Sequence, residues 1–447
     1  MKKRLCLMGM FVIFSFSVQA QVKGWSLQEC LDYALANNIQ LKKNNLQTES
    51  AAADVKQSRG QLLPSVSFST SHQVSYRPFP ESGGTTVTNG FVDSNINKAN
   101  YTGNYGINAN WTVWNGNKNR YNIQQAELSE QQAELTAEQT ANSIQEQITQ
   151  LYVQILYNTE GIKVYEQIAE ISKNNLSRGK EMMRVGSVAP ADVAQLEAQV
   201  ATDNYNIVSA KGQLARYKMQ LKQLLELDGN EEFDIVVPMT PDEQALAVIP
   251  SVNDTYLNAV ATRPEIKNAK LGIESSTISV KSAKAGYMPT IGISGGVGAS
   301  TTSASDKGWG KQMKSNLNGS IGVHVSVPIF DQKSTKANIL KAKIQQEEMQ
   351  LELASRQKEL WSTIEGYWID ATTNQERFRS ATANVKSAET SFELLSEQFN
   401  EGLKNVAELT TGKTTLLNAQ QNKLESKYTT VLNIQLLKFY NGQQLTL

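Results

Sequence analysis

The stretch Ser65-Val66-Ser67-Phe68-Ser69-Thr70-Ser71-His72-Gln73-Val74-Ser75-Tyr76 sets serine or glutamine at every odd position and a larger, mostly apolar or aromatic residue at every even one. Successive side chains of a β-strand point to opposite faces, so this segment reads as a strand with one small-polar and one apolar face. Three further segments repeat the pattern. Tyr101, Tyr105, Ile107, Ala109, Trp111 and Val113 alternate with Thr102, Asn104, Asn108, Asn110 and Thr112. Ile291, Ile293, Val297 and Ala299 stand against Thr290, Ser294 and Ser300. Leu317, Ile321, Val323, Val325 and Val327 stand against Asn316, Asn318, Ser320, His324 and Ser326. Alternating segments of about 10 residues are the signature of transmembrane β-barrel strands. Tyr76, Tyr101, Trp111, Trp114 and Phe330, near the ends, suit its aromatic girdles. A soluble sandwich with one wet face would alternate in the same way; the rest of the chain argues against it.

Four strands do not close a membrane barrel, since such barrels have at least about 8, and open sheet edges are not tolerated in lipid. The chain is therefore expected to oligomerise. Two copies would supply eight strands around an interior filled by side chains. Three would supply twelve and leave room for a lumen, which the small-polar face favours.

The N-terminus reads as an export signal over residues 1–20. Lys2, Lys3 and Arg4 precede an apolar run from Leu5 to Val18, and Ala20 offers a cleavage site before Gln21. No later stretch reaches the roughly 18–20 apolar residues of a membrane helix. Lys+Arg and Asp+Glu balance at 43 each, which gives no bias towards nucleic acid or another polyanion. Cys30 is the single cysteine after the signal, so no internal disulfide forms; its place in a helical pattern predicts a buried small side chain.

The chain is written twice. Ala34-Leu35-Ala36-Asn37-Asn38-Ile39-Gln40-Leu41-Lys42 resembles Ala259-Val260-Ala261-Thr262-Arg263-Pro264-Glu265-Ile266-Lys267, and Leu63-Pro64 aligns with Met288-Pro289, both at an offset of 225. Trp114-Asn115 matches Phe330-Asp331, and Val185-Gly186-Ser187 matches Glu401-Gly402-Leu403, both at 216. Each copy predicts a helix, two strands and two long helices. The copies cover 21–227 (strands about 65–77 and 100–114, tip at 186) and 251–447 (strands about 290–301 and 315–329, tip at 402), with a linker at 228–250. Pro64 and Pro289 end the first helices. The proline-free span before Pro190 admits a helix on the order of 100 Å long from Asn117 to about Met183. Its stripe of Ile144, Ile148, Leu151, Ile155, Ile162, Tyr165 and Ile168, with polar residues elsewhere, suits a coiled-coil wall wet on one side.

At this point the chain resembles the TolC family of outer-membrane efflux proteins, over nearly its whole length. The helical opening Trp25–Asn38, the joint Gln61-Leu62-Leu63-Pro64-Ser65-Val66 and the turns Arg184–Val193 and Asn400–Leu409 are similar to the family's elements, in its order. The resemblance implies an α+β membrane protein. Its trimer would form a 12-stranded outer-membrane β-barrel, four strands per protomer, continued by a periplasmic α-helical coiled-coil barrel. It implies a passive channel-tunnel of a tripartite efflux or type I secretion system, set in the outer-membrane lipid of a Gram-negative cell. Its partners would be a periplasmic adaptor (membrane fusion) protein and an inner-membrane transporter. Val185, Gly186, Ser187, Gly402 and Leu403 would form the adaptor-docking tips, with Lys404 flanking. The gate would hold Asp192 paired with Lys404, and Glu408 and Thr411 facing the lumen. The family has carboxylates at both of these last positions, so Thr411 leaves one acidic ring in place of two.

Other signals are set aside. Ala407-Glu408-Leu409-Thr410-Thr411-Gly412-Lys413-Thr414 mimics a phosphate-binding loop, but alanine replaces its first glycine and no strand precedes it. His72 and His324, the only histidines, fall on opposite types of face without metal-site spacing. No catalytic constellation, cofactor or metal is called for, and the reading is not an enzyme. A structural or adhesive coiled-coil protein of the cell surface is the alternative, although it needs no duplicated lipid-facing hairpins.

Overall fold

A computed structural model describes residues 24–79, 84–87, 90–93, 98–230, 232–238 and 242–447. The export signal expected at 1–20 lies outside the described residues. The chain runs β1 (Gly24–Trp25), α1 (Leu27–Asn37), α2 (Ile39–Gly60), β2 (Ser65–Tyr76), β3 (Gly84–Val87), β4 (Gly90–Asp93), β5 (Ala99–Trp114), α3 (Lys118–Arg184), α4 (Pro190–Leu224), β6 (Asp234–Ile235), α5 (Asp242–Ala245), α6 (Val252–Thr262) and α7 (Pro264–Lys284). It continues through β7 (Thr290–Thr302), α8 (Trp309–Ser315), β8 (Asn318–Ser326), α9 (Ser334–Asn400) and α10 (Val406–Tyr440).

The two halves share element lengths. α3 and α9 have 67 residues each, α4 and α10 have 35 each, and α1 and α6 have 11 each. The left-handed residues repeat as well. Gly116 and Asn117 before α3 correspond to Gln332 and Lys333 before α9, all with φ between 55° and 68°. The opening helix of each half is broken in two, where the sequence suggested one. At the first break the Asn38 carboxamide oxygen accepts from the N–H groups of Gln40 and Leu41, capping α2. At the second, Pro264 starts α7 and holds Arg263 extended.

Two compact units form, one from the residues up to Lys42, Thr140–Val260 and Leu360–Leu447, the other from Lys43–Gln139 and Ala261–Glu359. They cut across the linear boundaries 21–227, 228–250 and 251–447, because α3 and α9 each contribute residues to both units.

The second unit holds an antiparallel sheet in the order β2-β5-β7-β8. Its register aligns Val66 with Ala109, Phe68 with Ile107, Ile107 with Val297, Ile293 with Val323 and Ile291 with Val325. The apolar residues of all four strands therefore share one face. On the other face Asn104 and Asn108 donate to Ser71 and Ser69 across β5 and β2. The apolar face is open: Phe68 is 67 % and Ile321 84 % exposed. The fourth strand is shorter than the expected 315–329. At its start Gln312 and Asn316 occupy ladder positions with their side chains. The Gln312 amide exchanges hydrogen bonds with Thr302 N–H and C=O, and Asn316 Nδ2 donates to Ser300 C=O at 2.6 Å. At its end Pro328 has no N–H to donate.

In the first unit Ile144, Ile148, Ile155, Ile162 and Ile168 of the expected stripe are buried, while Leu151 and Tyr165 are half-buried. Cys30 is fully buried, and burial, with Glu29 adding, pushes its thiol pKa up to about 12. The helices of each hairpin approach closely through one glycine. A Cβ on Gly179 of α3 would lie 2.6 Å from Leu196 Cδ1 of α4, and one on Gly412 of α10 would lie 2.6 Å from Leu395 Cδ1 of α9. These are equivalent positions, seven residues before and ten after the tip glycine, with glycine and leucine exchanged. Gly412→Leu should overpack the second hairpin by about 1–3 kcal/mol, and adding Leu395→Gly should recover most of that by copying the first hairpin. Thermal unfolding in detergent, followed by far-UV circular dichroism, checks this; strictly additive losses would rule the exchange out.

Candidate functional site

The candidate site is the pair of helical turns at Gly186 and Gly402. Both are Schellman turns, in which a left-handed residue lets two N–H groups satisfy the last carbonyls of the helix. Gly186 has φ +79° and Gly402 φ +74°. Ser187 N–H donates to Met182 C=O at 2.9 Å and Gly186 N–H to Met183 C=O at 3.0 Å. Leu403 N–H donates to Gln398 C=O at 2.8 Å and Gly402 N–H to Phe399 C=O at 2.9 Å. Nothing crowds either glycine, so backbone geometry is what selects it. Both turns expose an apolar side chain to solvent, Val185 at 72 % and Leu403 at 74 %.

The helices that leave the turns start by different chemistry. Pro190 opens α4 after Ala189, whose side chain makes no cap bond. α10 opens with a capping box: Asn405 Oδ1 accepts from Glu408 N–H at 2.9 Å, and Glu408 Oε2 accepts from Asn405 N–H at 3.3 Å. The sequence reading missed this box, although Asn405 followed three residues later by Glu408 is its signal.

The box also brings Lys404 and Glu408 together. Lys404 Nζ lies 2.6 Å from Glu408 Oε1, one turn along the same helix end. In the protomer Lys404 pairs with Glu408, because residues four apart at a helix start face one another, while Asp192 lies in the first turn of α4. The Lys404 hydrogen bond, with help from Asn405 N–H, holds the Glu408 carboxyl below the usual carboxylate range. Thr411 donates its hydroxyl to Ala407 C=O at 2.8 Å. Glu408, Thr411 and Gly412 line one groove of about 460 Å³ between α9 and α10, with Leu395, Ser391 and Ala388 opposite.

The region resembling a phosphate-binding loop is helical throughout, so beyond the capped first turn its N–H groups are spent within the helix. Its glycine serves the close contact with Leu395. His72 and His324 stand on opposite faces of the sheet, by the register of β2 and β8. Asn405→Ala should loosen the first turn of α10 by about 1 kcal/mol. Amide hydrogen exchange should quicken at Ala407–Leu409 and stay unchanged at Asp192–Ala194; unchanged exchange at 407–409 would deny the cap its role.

The chain matches the family model described as "Outer membrane efflux protein" over residues 30–226 and 255–443. It is similar to the toxin and drug export protein A of Aggregatibacter actinomycetemcomitans, 22 % identical over 92 % of this chain and 84 % of that one. It is also similar to outer membrane protein TolC of Escherichia coli strain K12, 21 % identical over 97 % and 85 % of the two chains. A crystal structure of CusC superposes with a TM-score of 0.79 at 14 % identity, covering 94 % of this chain and 92 % of that one. A model match to both halves, joined to the duplicated helices and one-sided sheet, places the chain in a group of conduits, not catalysts. The chain belongs to the outer membrane efflux protein family, and it is a TolC-like efflux or secretion channel of the outer membrane with its helical part in the periplasm.

Proposed function

We propose that three copies close one twelve-stranded barrel, and that the duct so formed passively carries cargo received from a periplasmic adaptor and an inner-membrane transporter. The reading takes residues 1–20 as the removed export signal. The observation that carries it is the sheet with an open apolar face and two unpaired edges. Among the described residues β2 and β8 each have one partner strand. Because each neighbouring pair is antiparallel, β2 and β8 run in opposite directions. β8 of one copy therefore meets β2 of the next in antiparallel pairing, and head-to-tail repetition closes a ring. The polar Asn–Ser face turns to the lumen and the valine–isoleucine face to lipid. Mass measurement in detergent should find trimers, and a stable monomer or dimer alone would remove the proposal. Adjacent β8 residues should then respond oppositely. Ile321→Arg on the lipid face should cost up to about 2–4 kcal/mol and suppress assembly, whereas Ser320→Arg on the lumen face should still assemble and alter conductance.

The exposed turns at Gly186 and Gly402, with Val185, Ser187 and Leu403, are assigned to adaptor docking. Asp192, Lys404, Glu408 and Thr411 are assigned to the gate beside them. Three Lys404–Glu408 pairs would ring the mouth, each exposed pair contributing only about 0–1 kcal/mol, weak enough for partner contacts to rearrange. The pairing sets the sign of the test in planar bilayers. Lys404→Ala should free the Glu408 carboxylates and strengthen block by multivalent cations, and Glu408→Ala should weaken it. Identical block in both variants would take these residues out of the gate and leave the duct standing.

A further inference from the structure

A buried ion pair joins the two hairpins of the protomer. Lys413 of α10 and Asp203 of α4 are 2 % and 3 % exposed, and Lys413 Nζ lies 2.6 Å from Asp203 Oδ2. Lys413 Nζ also donates to Ser172 Oγ of α3 at 2.8 Å. Ser172 Oγ donates to Asp203 Oδ2 at 2.5 Å, and Gln199 Nε2 donates to Oδ1 at 3.0 Å. Burial pulls the Lys413 ammonium pKa down, and Asp203 opposes the shift.

Charges this deep lose more hydration than their attraction returns, and apolar residues commonly replace such pairs without loss of stability. The duplicated half displays that replacement. The positions 216 residues beyond Ser172 and Asp203 are Ala388 and Ala419, both buried in the apolar cluster of these helices. The position 216 residues before Lys413 is Glu197, paired with Lys180 half in solvent. Stability therefore does not explain the ion pair. Register does. A seam of Leu196, Phe392, Phe399, Leu409 and Leu416 is apolar along its length. Apolar contacts can re-form after a slip of one helical turn, about 5 Å. A slipped Lys413 would leave two buried charges without partners, as a single buried polar residue pins register in coiled coils.

We infer that Ser172, Asp203 and Lys413 are positioning residues that fix the axial register of the second hairpin against the first, and so the stagger of the Gly186 and Gly402 turns. Arg178 Nη2 to Asn400 C=O, at 3.4 Å, reports that stagger near the tips. The consequence for export rests on the docking role proposed above; the register itself does not.

The test uses full-length protein carrying Asn400→Cys with Arg178→Cys, or with Asn174→Cys or Glu181→Cys one turn to either side on α3, and a short bifunctional methanethiosulfonate. Cys30 is buried and does not compete. In the native background the 178–400 product should dominate. With Ser172→Ala, Asp203→Ala and Lys413→Met together, it should fall severalfold while a 174–400 or 181–400 product rises, with trimers retained. Asp203→Asn with Lys413→Gln keeps the shapes without the charges and should move the pattern the same way. A native crosslinking pattern in either assembled variant overturns the assignment. Failure of both to assemble also overturns it, since the pair would then hold the fold and not its register. Whole-cell export is read separately: shifted crosslinks with full export would remove the docking role and leave the register assignment in place.

Discussion

Backbone N–H and C=O groups at a sheet edge must find partners before that edge can sit in lipid, and the rest of this structure depends on that requirement. The sheet satisfies it internally with strand pairing across β2, β5, β7 and β8. Where β8 stops short, the side-chain amides of Gln312 and Asn316 complete the ladder on β7. Among the described residues of this sheet the outer edges of β2 and β8 are left, and in the proposed trimer another copy of the chain supplies their partners. The same requirement explains the composition of the two faces. The polar face needs side chains short enough to bridge neighbouring strands, and Asn104 on Ser71 and Asn108 on Ser69 do so.

The helices show what duplication preserves. Backbone geometry is shared closely: equal helix lengths, left-handed residues at equivalent joints, and the same two hydrogen bonds at each turn. Side-chain chemistry is free wherever a second solution gives the same backbone. Proline opens α4 and an asparagine–glutamate box opens α10. Glycine and leucine trade sides across each hairpin, because close approach needs one small residue at the crossing and is indifferent to which helix carries it.

Some polar groups inside the helical unit sit at joints. The Tyr152 hydroxyl donates to the carbonyls of Val236 and Trp25, tying the short parallel β1–β6 pair to α3. Asn38 reaches from the α1–α2 break to Leu224 C=O, and Glu226, itself left-handed, accepts from Ile39 N–H. A buried polar group is costly unless it is satisfied, so buried Tyr152 and Asn38 each tolerate one arrangement of the segments they join, whereas an apolar contact tolerates several.

Much of this was legible in the sequence, because the signals are local. Alternation over Ser65–Tyr76, the proline at 64, the isoleucine stripe of α3 and the glycines at 186 and 402 each report the backbone of their own segment. The capping box at Asn405 and Glu408 was equally local and went unread, and with it the Lys404–Glu408 pair of the protomer. The replacement of β8's first residues by Gln312 and Asn316, the role of Gly412 against Leu395, and the burial of Lys413 on Asp203 were not legible. Lys413 is indistinguishable in sequence from the solvated lysines around it, and 210 residues separate it from Asp203. The sequence by itself determined the strands, the turns and the two-faced character of the sheet, since hydrogen bonding and side-chain direction follow from near neighbours. Only the tertiary structure decided which charges are buried and with whom, because that depends on which helix lies opposite.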